Sequence, residues 1–438
     1  MPITRHLARC HTLAIHNREA PVSKLPMELL SEIFHIGLEE YDPDDHHAIK
    51  YLSTISSICS NWRGTALGTP SLWRCIIYMD YDHDHDPHPN TKNPAIPRHT
   101  QDRLFAYLSR SKNCGILLHL RFGANPLRIQ AIKRILSPHL PRCLSISLGF
   151  KFEPNMKDFL PLQGNLCRLT EFTCMSIYFG VDARPPPPVF AEPGTASLRK
   201  LILDYSRPSL DRINVQDLRD VRLMQVCNSW PEGATFISRC HSLTTLVITD
   251  NIPFSTDQPF TPFVLPNLIY LDTMGFALLR VAHTPNLQTL VLTDINGDDF
   301  RDAFIPLSSW PALTALCVIG GNLISEGFIS LLGQNPGIRR LILSACVDIY
   351  GIVELLMKDD DKGGAANNHG ATLLPALRLL RLCHSWTPHA SGFHTLLAHR
   401  PTLRIDYSAM CGPISADELK VMVEELREDD EPGVYQRV

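Results

Sequence analysis

The chain has little of what usually announces chemistry. Its 438 residues contain no G-x-S-x-G elbow, no H-E-x-x-H pair, no phosphate-binding loop and no G-x-G-x-x-G turn, so the nucleophilic, metalloprotease, NTPase and dinucleotide classes find no support. No apolar run approaches the length that crosses a bilayer. The first twenty residues lack a continuous apolar stretch, so a secretory signal is not expected. Arg5, Arg9 and Arg18 stand there without an acid, which leaves a transit peptide as the minor option. Charge excess is also missing. Lys and Arg number 41 against 45 Asp and Glu, a formal net charge of −4, so nothing electrostatic points to nucleic acid or an anionic membrane. None of the 13 cysteines forms a C-x-x-C pair. Several, Cys174, Cys317, Cys346 and Cys383, sit inside apolar strand-like runs. Buried free thiols of a cytosolic or nuclear protein are expected, rather than disulfides or a zinc site.

What the chain does have is a repeat. L-x-x-L-x-L or a close variant begins at Leu198, Leu218, Leu243, Leu268, Leu287, Leu313, Ile338 and Leu377. From 243 to 338 the starts are 25, 19, 26 and 25 residues apart, in or near the leucine-rich-repeat range. Weaker copies lie at 116–120, 144–148, 169–174 and 403–407. Proline recurs two places before the first apolar residue, as in Pro266 before Leu268, where it sets a turn and cannot join a ladder. The clearest helices between strands are expected at 126–137, 328–334, 352–357 and 392–400. A strand-plus-helix unit cannot bury its own leucines, but stacked units can, giving a solenoid with a parallel sheet on its inner face. Residues 184–197 are proline-rich and expected as a stiff extended loop. Residues 358–371 are polar and glycine-rich and expected as a mobile insertion. Residues 415–428 are expected as an amphipathic capping helix, with Ser415 and Glu418 as a capping box.

Residues 23–73 are different in grammar. Pro26 opens a helix, Glu28 suits its positive end, and Met27, Leu29, Leu30, Ile33 and Phe34 recur at helical spacing. A second series runs through Leu52, Ile55, Cys59, Trp62 and Ala66 and stops at Gly68-Thr69-Pro70 before Leu72-Trp73. So short a segment cannot bury all these side chains by itself, which points to a partner surface. The order Leu25-Pro26, Ile33-Phe34, Ile58-Cys59-Ser60 and Trp62-Arg63, closed by TPSLW, resembles an F-box. With the repeats it resembles F-box/leucine-rich-repeat proteins of the type abundant in mushroom-forming fungi. Ser60 departs from the basic residue usual there, the loop at 39–50 is long, and the repeats lack the closing Asn or Cys of the most regular kinds.

The resemblance implies an α/β fold: an N-terminal helical F-box followed by an irregular leucine-rich-repeat solenoid, with helices and loops outside. The expected divisions are an extension at 1–22, the F-box at 23–78, a His/Asp/Pro-rich linker at 79–100, the solenoid at 101–414, and a capping helix and tail at 415–438. It further implies a substrate receptor of a Skp–cullin–F-box ubiquitin ligase, cytoplasmic or nuclear, not itself an enzyme and without cofactor. The adaptor, and through it a cullin, would be met by Leu25, Pro26, Leu29, Ile33, Phe34, Cys59 and Trp62. The alternative is an interaction scaffold whose F-box leads to no ubiquitination. A protein substrate is expected on the strand residues that alternate away from the leucines, a column of Ile202, Arg222, Val247, Asp272, Val291, Cys317, Ile342 and Arg381. Arg222, Tyr270, Asp272 and Arg381 are its candidate anchors. His83, His85 and His88 alternate with Asp82, Asp84 and Asp86 and could bind a metal, but they read better as a solvated linker, as do His46 and His47 in their loop.

Overall fold

The computed structural model describes residues 21–39, 46–80, 96–123, 125–178, 187–192, 197–204, 209–224, 230–249, 261–274, 278–295, 310–321, 323, 326–346, 349–357, 373–383, 396–398 and 400–408. The chain divides into two compact units, Met1–Gln288 and Thr289–Val438.

Among the described residues of the first unit, a short 3-10 turn at Pro21–Lys24 precedes three helices, Met27–Glu39, His46–Ile58 and Ser60–Gly68, and a 3-10 turn at Pro70–Trp73. His46 and His47 open the second helix, so they are not the loop residues the sequence suggested. Strands follow: β1 (Cys75–Met79), β2 (Ile116–Phe122), β3 (Cys143–Phe152), β4 (Glu171–Tyr178), β5 (Lys200–Asp204), β6 (Asp220–Met224), β7 (Thr245–Ile248), β8 (Phe263–Val264), β9 (Tyr270–Met274) and β10 (Ala282–His283). Eight of them lie side by side in the order β1-β2-β3-β4-β5-β6-β7-β9, while β8 pairs only with β10. Every neighbouring pair is parallel. A parallel pair needs a crossover, and here each crossover returns one place along the sheet. Strand order therefore follows chain order, the arrangement of a solenoid-like α/β fold. Helices Arg98–Arg110, Pro126–Leu136, Glu153–Phe159 and Trp230–Ser238 fill four of the crossovers.

The second unit repeats the pattern with β11 (Thr289–Ile295), β12 (Ala315–Gly321), β13 (Arg340–Ser344), β14 (Leu379–Cys383) and β15 (Arg404–Ser408), all parallel and in chain order. Helices Glu326–Gln334 and Ile349–Met357 lie in two of its crossovers, where the leucine spacing placed them. The weak sequence copies at 116–120 and 144–148 lie within strands, and those at 169–174 and 403–407 begin one or two residues before theirs.

The repeat leucines form the core. Leu198, Leu218, Leu243, Leu268, Leu287, Leu313, Ile338 and Leu377 are all buried, as are Leu201, Leu203, Leu223, Leu246, Leu271, Leu290, Leu316, Leu341 and Leu380. Burying one such side chain stabilises by roughly 1.5–3 kcal/mol, and stacking lets each unit cover its neighbour. The expected buried thiols are also present: Cys174, Cys317, Cys346 and Cys383 are buried and form no disulfide.

Two boundaries differ from expectation. Cys75–Met79, assigned by sequence partly to the helical segment, is the first strand of the sheet and pairs with β2. Helix Arg98–Arg110 starts inside the expected linker. In the proline-rich loop, Leu162 bridges Phe190, Val189 and Phe190 are buried, and the Phe190 ring meets Phe172 edge-on at 5.9 Å. The insertion at 358–371, the capping helix at 415–428 and the His/Asp run at 82–88 lie outside the described residues.

Candidate functional site

Helix Met27–Glu39 has two apolar faces. Leu30 N–H donates to Pro26 O at 3.0 Å, so the proline carbonyl closes the first turn. Leu30 and Phe34, one turn apart, are wholly buried. The Phe34 ring packs on Trp62, centroids 5.1 Å apart and planes tilted by 59°. Met27, Leu29, Ile33 and Ile36 are instead 45–55 % exposed, and Ile58 at the end of the next helix is 49 % exposed. Leu29, Ile33 and Ile36 recur at four and three residues, so they share one outward stripe.

The sequence pooled these two stripes. Of the expected adaptor residues, Pro26, Leu29 and Ile33 are exposed, Leu25, Cys59 and Trp62 are half-buried, and Phe34 is internal. Phe34 therefore supports the face from behind. Ile36 was missed, although its spacing from Ile33 carried the signal, and Met27 and Ile58 were seen only as part of the motif.

The rest of the module holds this stripe rigid. The helical series through Cys59 is broken there, and Cys59 caps helix Ser60–Gly68, its Sγ accepting from Trp62 N–H at 3.5 Å. Arg63 Nε donates to Ser56 O at 2.8 Å across the break. His35 Nε2 and Ser71 Oγ are 2.9 Å apart, tying the first helix to the 3-10 turn. Trp73 is buried, donates through Nε1 to Ala66 O at 2.7 Å, meets Tyr107 edge-on at 5.0 Å, and lies 4.4 Å beneath the Arg110 guanidinium.

On the sheet, the alternation gave the register but not the exposure. In the first unit Ile202, Arg222, Val247 and Asp272 are successive partners. In the second, Val291, Cys317, Ile342 and Arg381 are. Val247, Asp272, Val291, Cys317 and Ile342 are nevertheless buried. The expected column is thus not an open solvent face; Ile202, Arg222 and Arg381 remain its half-exposed members. Arg381 donates through Nε and Nη2 to Asp406 Oδ2 at 3.3 and 2.8 Å. Asp406 follows Arg381 in the row; the shared L-R start of 377 and 403 could have found it.

Asp272, Arg222 and Tyr270 are close in the sheet. Arg222 Nε lies 3.4 Å from Asp220 Oδ1. Asp272 is 5 % exposed, and among the described residues its Oδ1 has no hydrogen-bond partner. Burial pushes its carboxyl up to about 7, against the opposing pull of Arg222. Burial also pushes the thiols of Cys143, Cys240 and Cys346 up to about 12, so they are protonated and poor nucleophiles at neutral pH.

Among the described residues no group of three His, Cys, Asp or Glu could hold a metal ion, and no helix is long and apolar enough to cross a membrane. No protein-family model matches the chain, and no curated protein matches it.

Proposed function

We propose that this chain is a substrate receptor of a Skp–cullin–F-box type ubiquitin ligase, acting in the cytoplasm or nucleus. The observation that carries it is the outward stripe Leu29, Ile33 and Ile36 on a helix whose other face is already packed. Several large aliphatic side chains left half-exposed on one short helix fit a protein partner better than solvent. That stripe lies within the Leu25-Pro26 to Trp62-Arg63 order that resembles an F-box, which supports a Skp-type adaptor as the partner. The parallel repeats then carry a protein substrate. No catalytic group of this chain takes part; holding a substrate lysine beside a charged enzyme raises its effective concentration.

The test is capture of a purified Skp-type adaptor. Ile33→Asp places a charge in an apolar contact and should cost about 3 kcal/mol, roughly a 100-fold loss of affinity. The far-ultraviolet circular dichroism should be unchanged, because Ile33 lies on the exposed stripe and not among the fully buried side chains. Adaptor binding at full strength by a folded Ile33→Asp variant refutes the assignment. Capture from cells with and without a cullin-neddylation inhibitor separates receptor from scaffold: substrates accumulate on inhibition, whereas a scaffold keeps a constant set.

A further inference from the structure

We propose that Asp220, Arg222, Tyr270 and Asp272 form a receptor site for one cationic side chain, an arginine guanidinium or lysine ammonium presented by a partner segment. The four residues lie on one face of the first unit. Asp220 and Tyr270 flank Thr245 in one row, and Arg222 and Asp272 flank Val247 in the next. Side chains two apart on a strand share a face. Strands stand about 4.8 Å apart, so Arg222 and Asp272 are about 10 Å apart at their backbones, with only a valine between.

Charge makes the site incomplete. Along these two rows Glu171, Asp220 and Asp272 stand against Lys200 and Arg222; Lys200 lies between Glu171 and Asp220, and Arg222 is held on the Asp220 side at 3.4 Å. Asp272 is left buried, with Oδ1 lacking a hydrogen-bond partner among the described residues. An acid stranded in this way costs stability unless a cation or a proton reaches it. Its carboxyl titrates near 7, so a modest gain from a bound cation suffices to ionise it. An anion would meet two carboxylates. Among the described residues a divalent metal would lack the ligand set. A guanidinium or ammonium supplies both the missing charge and the missing donor. Tyr270 is on the same strand and face, and an aromatic ring suits a planar guanidinium. Asp220, Thr245 and Tyr270 are half-exposed, so the way in runs along their row. That the cation arrives on a protein segment rests on the receptor assignment; the cation site does not.

The experiment uses the full chain, without adaptor, and four probes: N-acetyl-arginine amide, N-acetyl-lysine amide, and their neutral counterparts N-acetyl-citrulline amide and N-acetyl-norleucine amide. Binding is followed by the carbon-13 carboxyl resonances of labelled aspartate. The cationic probes should bind at least tenfold more tightly than the neutral ones, and the Asp272 titration midpoint should fall when a cationic probe is saturating. Asp272→Asn should erase the tenfold preference, while Asp406→Asn in the second unit should keep it. Equal binding of charged and neutral probes, an unmoved midpoint, or a preference surviving in Asp272→Asn overturns the site. The midpoint is read in the native chain, so a misfolded variant leaves the test decisive. Loss of adaptor capture, measured separately, refutes only the receptor assignment.

Discussion

Asp272 is the residue whose chemistry most depends on its surroundings. Its ordinary carboxyl range lies near 4, and burial lifts it to about 7. The folded chain thus keeps a proton that the unfolded chain has released between about pH 4 and pH 7. Rising pH in that window favours unfolding; the contribution is complete below it and lost above it. The upper bound is about 4 kcal/mol. Asp272→Asn removes the ionisation while keeping the shape. We expect the two proteins to unfold at similar urea concentrations at pH 4.5, and the Asn variant to be more stable by about 2–4 kcal/mol at pH 8. A wild type as stable as the variant at pH 8 would show that the buried carboxylate carries no penalty. The type and row of Asp272 were legible in the leucine alternation. Its burial was not, because local pattern says which way a side chain points and nothing about what lies above the sheet.

The turns that precede the strands explain how repeats without a regular closing Asn or Cys stay in register. Leu265, Thr284, Trp310, Asn335 and Leu374 each stand just before a proline, and all are buried. Asn335 bridges two such turns: its Nδ2 donates to Leu331 O at 2.8 Å and its Oδ1 accepts from Trp310 N–H at 2.9 Å. Arg400, at the same place two repeats later, reaches back one repeat to Leu374 O at 2.9 Å. In the first unit, Asn267 and Asn286 reach back to His241 O and Pro266 O at 2.9 and 2.7 Å. Asn335→Ala strands the buried Trp310 N–H and should cost about 1–3 kcal/mol. Amide exchange should quicken in 310–318 and 335–343 first; uniform change across both units would contradict a local tie. The proline turns and leucines made these strands readable. Helices Glu153–Phe159 and Trp230–Ser238 were not, being short and without a long apolar period, although Pro154 and Pro231 stand in their first turns, where proline is tolerated. Helix Arg98–Arg110 was hidden by a neighbouring polar run that drew the linker boundary too late.

At the scale of the whole molecule, the join between the helical module and the repeats decides how the chain can be cut. β1 covers the flank of β2 along Leu117–Arg121. Removing residues 1–100 uncovers that flank, a template for pairing with other chains. Residues 101–438 should therefore associate and melt lower than residues 69–438, which keep Trp73 and β1. Light scattering and thermal melts check this, and a monomeric, equally stable 101–438 would count against β1 as part of the fold. The same join sets the mechanics of the first unit. Trp73 is clamped between the Ala66 carbonyl, the Tyr107 ring and the Arg110 guanidinium, and Cys75 begins the sheet two residues later. Among the described residues the helix Met27–Glu39 is tied through His35 to Ser71 of the 3-10 turn, which runs directly into the first strand. A segment gripped at β6 sits at an offset from that helix counted in strands, and gripping it one strand further along moves it by about 4.8 Å. What such a protein hands to its neighbours is an address as much as an affinity.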